Sequence, residues 1–421
     1  APVIGLATLT ARAAHAGFRR PRRPAPADLA VLQYTSGSTR SPRGVPVTHG
    51  HLAANLTAIR EVIRHDELHP GPLLSWLPLY HDLGLVCFLA LPMSCGCSLA
   101  LASPDTFARR PSMWLAAAGR HGAVMTGAPN FAYALATRLL RADPSVRLDS
   151  VRRLVSGGEP IDAAVMAAFL AAAVPYGLDP RAVMAGYGLA EATLAVAVAP
   201  AGTGLRLDHV DPRELEVNGR AVPTPGGRPL ARQGPPLRGF AVRITDRASG
   251  ADLGERLVGR VEVRGPSVVG HYWGEPPPAP GSWLDTGDLG YLAEGDLVVC
   301  GRAKDVVFAA GRNVFPQDVE AAATEVPGVR PGGAVAFGLP GERLVVAVEC
   351  GGDRAAEVRA AVVDAVVAEV GLTPAAVLVL PPGHLPRTSS GKLRRAEVRH
   401  RHLLGTLVPA PRPVPEERQP T

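Results

Sequence analysis

The chain reads as an α/β protein, a large part built on a largely parallel sheet followed by a smaller α+β unit. Three observations carry this. Short apolar, β-rich runs alternate with helical stretches through the first half of the chain. Glycine-rich turns follow several of those runs. At 421 residues the chain is too long for one compact core. In sheets of this kind ligands sit outside the carboxyl ends of the strands, where such turns fall.

"LAVLQYT" (29–35) is the first strand, and the small-residue loop "TSGSTRSPRG" follows it directly. "VPVT" begins as a strand, with Thr48 as N-cap for the apolar-periodic stretch after it. "LLSWLPL" (73–79) reads as a buried strand ending at "YHD". "PSMWLAAAGRHG" is helical, "AVMTG" strand-like and "APNFAYALATRLL" helical. "VRRLVSGGEP" repeats strand and glycine turn, with Pro160 expected at the first helical position before "IDAAVMAAFLAAAV". From 201 to 236 the periodicity disappears, and turn residues suggest an inserted loop. "FAVRITD" and "GRVEVRG" are strands, and "AEGD" turns a hairpin. The small unit runs helix ("VEAAATEV"), two strands ("GGAVAFG", "RLVVAVEC"), helix ("RAAEVRAAVVDAVVAEV") and strand ("AAVLVL"). A Pro-rich tail begins near 406.

Composition excludes several function classes. The hydrophobic fraction of 47% and charged fraction of 19% are those of a globular protein. The net charge of +6 is spread along the chain, without the aromatic-interleaved basic stripe that single-stranded nucleic acid needs, so no nucleic acid partner is expected. No apolar run reaches the roughly 20 residues of a membrane span. The five cysteines, Cys87, Cys95, Cys97, Cys300 and Cys350, mostly sit in apolar runs, which favours reduced thiols and a cytoplasmic location. "CGC" (95–97) lacks a second Cys/His pair and reads as core packing. The first sixteen residues have no basic segment ahead of their apolar part, and Arg12 interrupts it, unlike a signal peptide.

The loop at 35–44 offers hydroxyls, main-chain N–H groups and then fixed positive charge, which suits a phosphate chain. It is not a GxxxxGK[ST] loop: Gly37 and Gly44 are too far apart and no Lys-Ser/Thr pair follows Gly44. In order along the chain come "YTSGSTRSPRG", "WLPLYHDLGL", "SGGEP", "GYGLAEAT", "WLDTGDLG", "GRAKDVV" and "PRTSSGKLRR". Together these seven resemble the adenylate-forming superfamily of acyl-activating enzymes, from about residue 30 to 400. The wording is most similar to that of the fatty acyl-AMP ligases in "GAPNFAYAL", "YGLAEATL" and "GRNVFPQDVE". The position of the 201–236 stretch is similar too, and in that branch such an insertion is associated with poor use of coenzyme A.

The resemblance implies a large adenylating domain over 1–303 with mixed β sheets flanked by helices. It implies a small mobile α+β domain over 304–405 carrying the catalytic lysine, and a tail or linker over 406–421. Only about thirty residues precede the loop, where relatives carry a longer N-terminal region, so the large domain is expected to be partial. The reaction implied uses ATP and Mg²⁺: a fatty acid carboxylate attacks the α-phosphate, giving acyl-adenylate and pyrophosphate. An acyl carrier protein, or a polyketide or nonribosomal peptide synthase module, then takes the acyl group.

The same resemblance assigns residues. Thr35, Ser36, Gly37, Ser38, Thr39, Arg43 and Gly44 would hold the β- and γ-phosphates. Arg43 stands where lysine is usual, and Arg40 where glycine is usual. Glu191 would bind Mg²⁺. Tyr187 and Gly188 would meet adenine, with Gly158, Glu159 and Pro160 lining the base pocket. Asp288 would accept from the ribose hydroxyls, supported by Arg302. Lys392 would reach the reacting carboxylate and α-phosphate, and Lys304 marks the hinge. His81, Asp82, Gly127, Ala128 and Asn130 would line the acyl pocket, the small Gly127 and Ala128 leaving room for methylenes.

Two other readings stay open. An acyl-CoA synthetase shares the first half-reaction, although Asn313 replaces the arginine of many coenzyme A users. A catalytically silent acyl- or nucleotide-binding module is favoured by Arg40 and the short N-terminal region. The joint presence of Glu191, Asp288, Arg302 and Lys392 opposes it.

Overall fold

A computed structural model describes residues 23–35, 43–68, 71–140, 143–352, 354–388 and 393–407. Strand β1 (Leu29–Thr35) pairs antiparallel with β2 (Arg43–Thr48), so Thr35 and Arg43, which bracket positions 36–42 in the sequence, face each other. Thr48 then caps helix α1 (His49–Val62): its Oγ1 accepts from His51 N at 3.2 Å, and its own N–H donates to His51 Nδ1 at 3.3 Å. This reciprocal pairing satisfies donors a helix start leaves free.

The parallel sheet contains β3 (Leu73–Ser75), β4 (Leu99–Leu101), β5 (Met125–Ala128), β6 (Arg153–Gly157), β7 (Val183–Gly188) and β8 (Ala195–Val198). Their order is β4-β3-β5-β6-β7-β8, parallel except for β8. A π-helix (Leu83–Ala90) continues into α2 (Leu91–Cys95), followed by α3 (Pro104–Arg109), α4 (Met113–Arg120), α5 (Asn130–Leu140) and α6 (Ala163–Ala173). Trp114, Tyr133 and Phe169 from α4, α5 and α6 meet edge to face in the core, each fully buried. Among the described residues no helix is long and apolar enough to cross a membrane.

Three expectations are corrected here. The strand expected over 73–79 stops at Ser75, whose Oγ accepts from Leu77 N at 3.1 Å; Trp76 turns aside to stack on Phe107, with ring centroids 3.6 Å apart. Pro160 is not the first residue of α6: Asp162 is the N-cap, accepting from Val165 N, and the helix begins at Ala163. A strong side-chain cap outweighs the proline signal.

The third concerns 201–236, which is not a loop. It folds as β9 (Leu207–Val210), α7 (Pro212–Val217) and β10 (Arg228–Gly234). These strands complete an antiparallel sheet with β11 (Ala241–Thr245), β12 (Gly259–Arg264), β13 (Leu284–Ala293) and β14 (Asp296–Arg302), ordered β11-β12-β13-β14-β10-β9. The polar residues that hid the strand period are buried in pairs. Asp208 accepts from Tyr291 Oη (2.7 Å) and Arg256 (3.0 Å), and Arg232 Nε meets Asp296 at 2.8 Å.

The last portion holds the β15 (Val307–Ala309) and β16 (Arg312–Val314) hairpin and α8 (Pro316–Thr324). It continues through β17 (Val329–Leu339), β18 (Arg343–Cys350), α9 (Ala355–Val370), β19 (Ala376–Leu380) and α10 (Arg395–Leu403). The β17-β18-β19 sheet alternates its apolar residues between two cores, as a period-two strand dictates. Ala336, Val346 and Val348 meet the valine stripe Val358, Val362, Val366 and Val370 of α9. Phe337, Val345 and Ala347 face Leu385 and Val398 on the other side.

Candidate active site

The carboxyl ends of β5, β6 and β7 deliver three of the expected segments to one edge of the parallel sheet. Asn130 opens α5 just after β5, Gly158 to Pro160 follow β6, and Tyr187 to Glu191 close β7. Gly188 is required by packing: a Cβ there would lie 1.7 Å from the carbonyl oxygen of Leu194. Gly158 has φ of +80°, the left-handed region that favours glycine.

Tyr187, Asp288 and Arg302 form one connected group. Asp288 and Arg302 are cross-strand partners on β13 and β14. Arg302 Nε lies 2.9 Å from Asp288 Oδ1, and Tyr187 Oη donates to Asp288 Oδ2 at 2.6 Å. Asp288 is 4% exposed, and burial pushes its carboxyl above the usual range while Arg302 opposes the shift. Burial, then the Asp288 charge, push the Tyr187 phenol well up as well. Each carboxylate oxygen keeps capacity for a further hydrogen bond, such as one from a diol.

A second group surrounds Glu191. Tyr272 Oη donates to Glu191 Oε1 at 2.6 Å, and the Arg43 guanidinium lies 3.4 Å above the Tyr272 ring centroid. Arg43 also pairs with Glu275 at 2.5 Å. Tyr34, Arg43, Gly44, Tyr272, Trp273 and Glu275 line a cavity of about 310 Å³ beside the paired ends of β1 and β2. Main-chain bonds hold the segment there: Val269 N donates to Glu191 O (2.8 Å) and Trp273 N to Gly44 O (2.7 Å). Thr193, two residues after Glu191, carries φ of +74°, and its Oγ1 donates to Ser267 O at 2.9 Å. Backbone strain of this kind persists only where the surroundings over-determine it. Tyr272, Glu275 and Thr193 escaped sequence reasoning, since "HYWGEP" carries no spacing that marks it.

Glu159 and Asn130 interlock: Asn130 N donates to Glu159 Oε1 (2.8 Å), and Asn130 Nδ2 to Pro160 O (2.7 Å). The Glu159 side chain therefore contributes at the start of α5. Asp82 begins the π-helix, accepting from Leu83 N at 2.7 Å, and His81 Nδ1 lies 2.6 Å from its carboxylate. Gln33 donates to Tyr80 O at 2.7 Å, tying that turn to β1.

Gly127 packs closely against the strand beside it. A Cβ there would sit 2.7 Å from Val155 O and 3.2 Å from the Phe88 ring, and Ala128 is fully buried. Its smallness admits the neighbouring strand.

Lys304 lies exposed in the turn between β14 and β15, where Asp305 N donates to Arg302 O at 3.1 Å. Arg395 at the start of α10 reaches that turn, bonding Asp305 at 2.6 Å and Glu320 at 2.7 Å. Ser36, Gly37, Ser38, Thr39, Arg40 and Lys392 lie outside the described residues. Cys95 and Cys97 pack against the core, and no group of three metal-ligating side chains exists among the described residues.

Residues 5–273 match the AMP-binding enzyme family. The chain belongs to that family. The Mycobacterium tuberculosis protein Rv1013 is 44% identical over 387 residues, covering 88% of this chain and 71% of its own length. The long-chain-fatty-acid–AMP ligase FadD26 of Mycobacterium marinum is 37% identical over 404 residues, covering 87% of this chain and 68% of its own. A solved structure from work on the fatty acyl-adenylate ligases of E. coli and L. pneumophila superposes with a TM-score of 0.85. It is 37% identical and covers 92% of this chain and 72% of its own. As an AMP-binding enzyme with such relatives, the chain is an adenylate-forming ligase.

Proposed function

We propose that this ligase activates a fatty acid with ATP and passes the acyl group to a carrier protein rather than to coenzyme A. The observation that carries the first part is the Tyr187–Asp288–Arg302 group at the carboxyl ends of the parallel strands, with the Glu191 turn leaving the same strand. In the reaction a carboxylate oxygen bonds the α-phosphorus, the bond to the bridging oxygen of the β-phosphate breaks, and pyrophosphate leaves with that electron pair. No protein nucleophile is needed, so this chain's residues act by positioning and charge.

Tyr187 stacks on adenine while its hydroxyl holds Asp288, which receives the ribose hydroxyls. Arg302 keeps that carboxylate ionised and oriented. Thr35 and Arg43 flank the loop that takes the leaving pyrophosphate. Lys392 is assigned to offset the charge gathering between the carboxylate and the α-phosphate. Lys304 is the hinge about which 304–405 swings against 1–303.

Mg²⁺ suits Glu191: this ion is usually held by one or two carboxylates plus substrate phosphates, not by an all-protein cage. When bound, it neutralises phosphate charge.

The carrier reading rests on the 201–236 segment and the hairpin it touches. Asn313 Nδ2 donates to Glu216 O at 3.3 Å, and Arg312 pairs with Glu216 at 3.2 Å. The basic α10 would meet an acidic carrier.

The test is mass spectrometry of the protein with Mg-ATP and a mixture of fatty acids, with and without coenzyme A. Acyl-adenylate that persists with coenzyme A present is the expected result. Conversion to acyl-CoA would make the protein a synthetase. No adenylate from a folded sample would make it a silent binding module.

A further inference from the structure

We infer that Tyr272 is a positioning residue for the metal-bound triphosphate: its hydroxyl aims the Glu191 carboxylate, its ring carries Arg43, and Glu275 holds Arg43 away from phosphate until nucleotide arrives. The inference rests on the reading of Glu191 and Arg43 given above and deepens it.

The geometry is a chain of four side chains. Glu191 Oε1 accepts from Tyr272 Oη at 2.6 Å, which fixes one carboxylate oxygen and leaves the other to face a cation. A hydrogen bond to an ionised acceptor is strong enough to choose a rotamer. An ionised carboxylate can only accept, so the Tyr272 hydroxyl is the donor of this bond. On the other side of the same ring, Arg43 stacks at 3.4 Å to the centroid and reaches Glu275 at 2.5 Å.

Glu275 is placed by its own turn. Its N–H donates to Tyr272 O at 2.9 Å, and its Oε2 accepts from Tyr272 N at 3.3 Å. Trp273 N bonds Gly44 O, which ties this turn to β2. The Arg43–Glu275 pair is only half-buried, at 40% and 48% side-chain exposure, and borders the 310 Å³ cavity. An exposed ion pair is weakly held, and a triphosphate offers the guanidinium a better, multiply charged partner. Arginine in place of lysine is what allows flat stacking on the ring.

Two variants and one spectroscopic readout test this. Manganese(II) binding to the protein–ATP complex is followed by the loss of the free-ion electron paramagnetic resonance signal, and metal-free ATP binding by calorimetry. Tyr272→Phe keeps the ring and removes the hydroxyl. It should weaken manganese binding about tenfold, leave metal-free ATP binding within about twofold, and raise the Mg²⁺ needed for half-maximal adenylation in step. Manganese affinity within twofold of the parent would overturn the role of the hydroxyl while leaving adenylation by the parent intact. Glu275→Gln frees Arg43 and should tighten metal-free ATP binding several-fold. Weaker binding would overturn the holding role, and this arm decides if Tyr272→Phe fails to fold by circular dichroism. A folded parent that binds neither ATP nor manganese with ATP would instead remove the reading of Glu191 and Arg43 itself.

Discussion

At the scale of single residues, Asp288 and Lys392 carry the sharpest expectations. Asp288 is a buried carboxyl whose protonation burial favours, and a ribose-binding carboxylate must be ionised. ATP affinity should therefore fall on acidification, beginning above the ordinary carboxylate range. Asp288→Asn should raise the ATP KM about tenfold or more, because charged hydrogen bonds are lost while the packing stays. In that variant the acid-side loss should flatten; calorimetric titration across pH checks both. Lys392→Ala should abolish adenylate formation and leave ATP binding largely intact. Single-turnover acyl-adenylate yield above a few per cent of the parent would count against the lysine's role.

At the scale of elements, the ends of the strands are set by contacts that tolerate no side chain. β7 ends where Gly188 lies against the backbone of Leu194, and the turn bearing Glu191 departs from that point. Gly188→Ala forces backbone apart, so a destabilisation of about 1–3 kcal/mol is expected in urea unfolding. The displaced turn should cost nucleotide affinity as well. The 201–236 segment is the opposite case: side chains make the element. Its β9 and β10 stand on buried pairs through Asp208 and Arg232, residues that read as loop when seen one-dimensionally.

At the scale of the whole molecule, the later portion is joined to the rest through α7 and the β15–β16 hairpin. Phe315 sits in the core formed by Val210, Leu215 and Tyr291, and Arg228 pairs with Asp318 at 2.9 Å over the Phe315 ring. Glu216, 4% exposed, lies in this junction, and burial pushes its carboxyl up to about 7 against the pull of Arg312. The folded protein thus holds a proton there that the unfolded chain, near the ordinary 4.5, has released. Stability from this group falls as pH rises from about 4.5 to about 7, by on the order of 3 kcal/mol in all. Glu216→Gln removes that slope. The melting temperature of the parent relative to this variant should therefore be higher at pH 5 than at pH 8, and a pH-independent difference would dismiss the junction as a titrating site.

What the sequence by itself determined was the fold class, the order of most elements and the family to which the chain belongs. The periodicities of β5, α5, β6, β7 and the β17–α9–β19 unit are local, and local steric preference writes them into neighbouring residues. The Thr48 cap and the order of seven motifs were legible for the same reason. Only the tertiary structure decided which of these residues meet. Tyr187 and Asp288 stand 101 positions apart, and Glu191 and Tyr272 81 apart, and no local rule links them. It also decided that Gly127 is filled by Val155 and Phe88, and that the polar 201–236 segment is sheet. Both depend on what packs against a residue from distant parts of the chain, because burial and charge pairing are properties of the assembled fold and not of the segment.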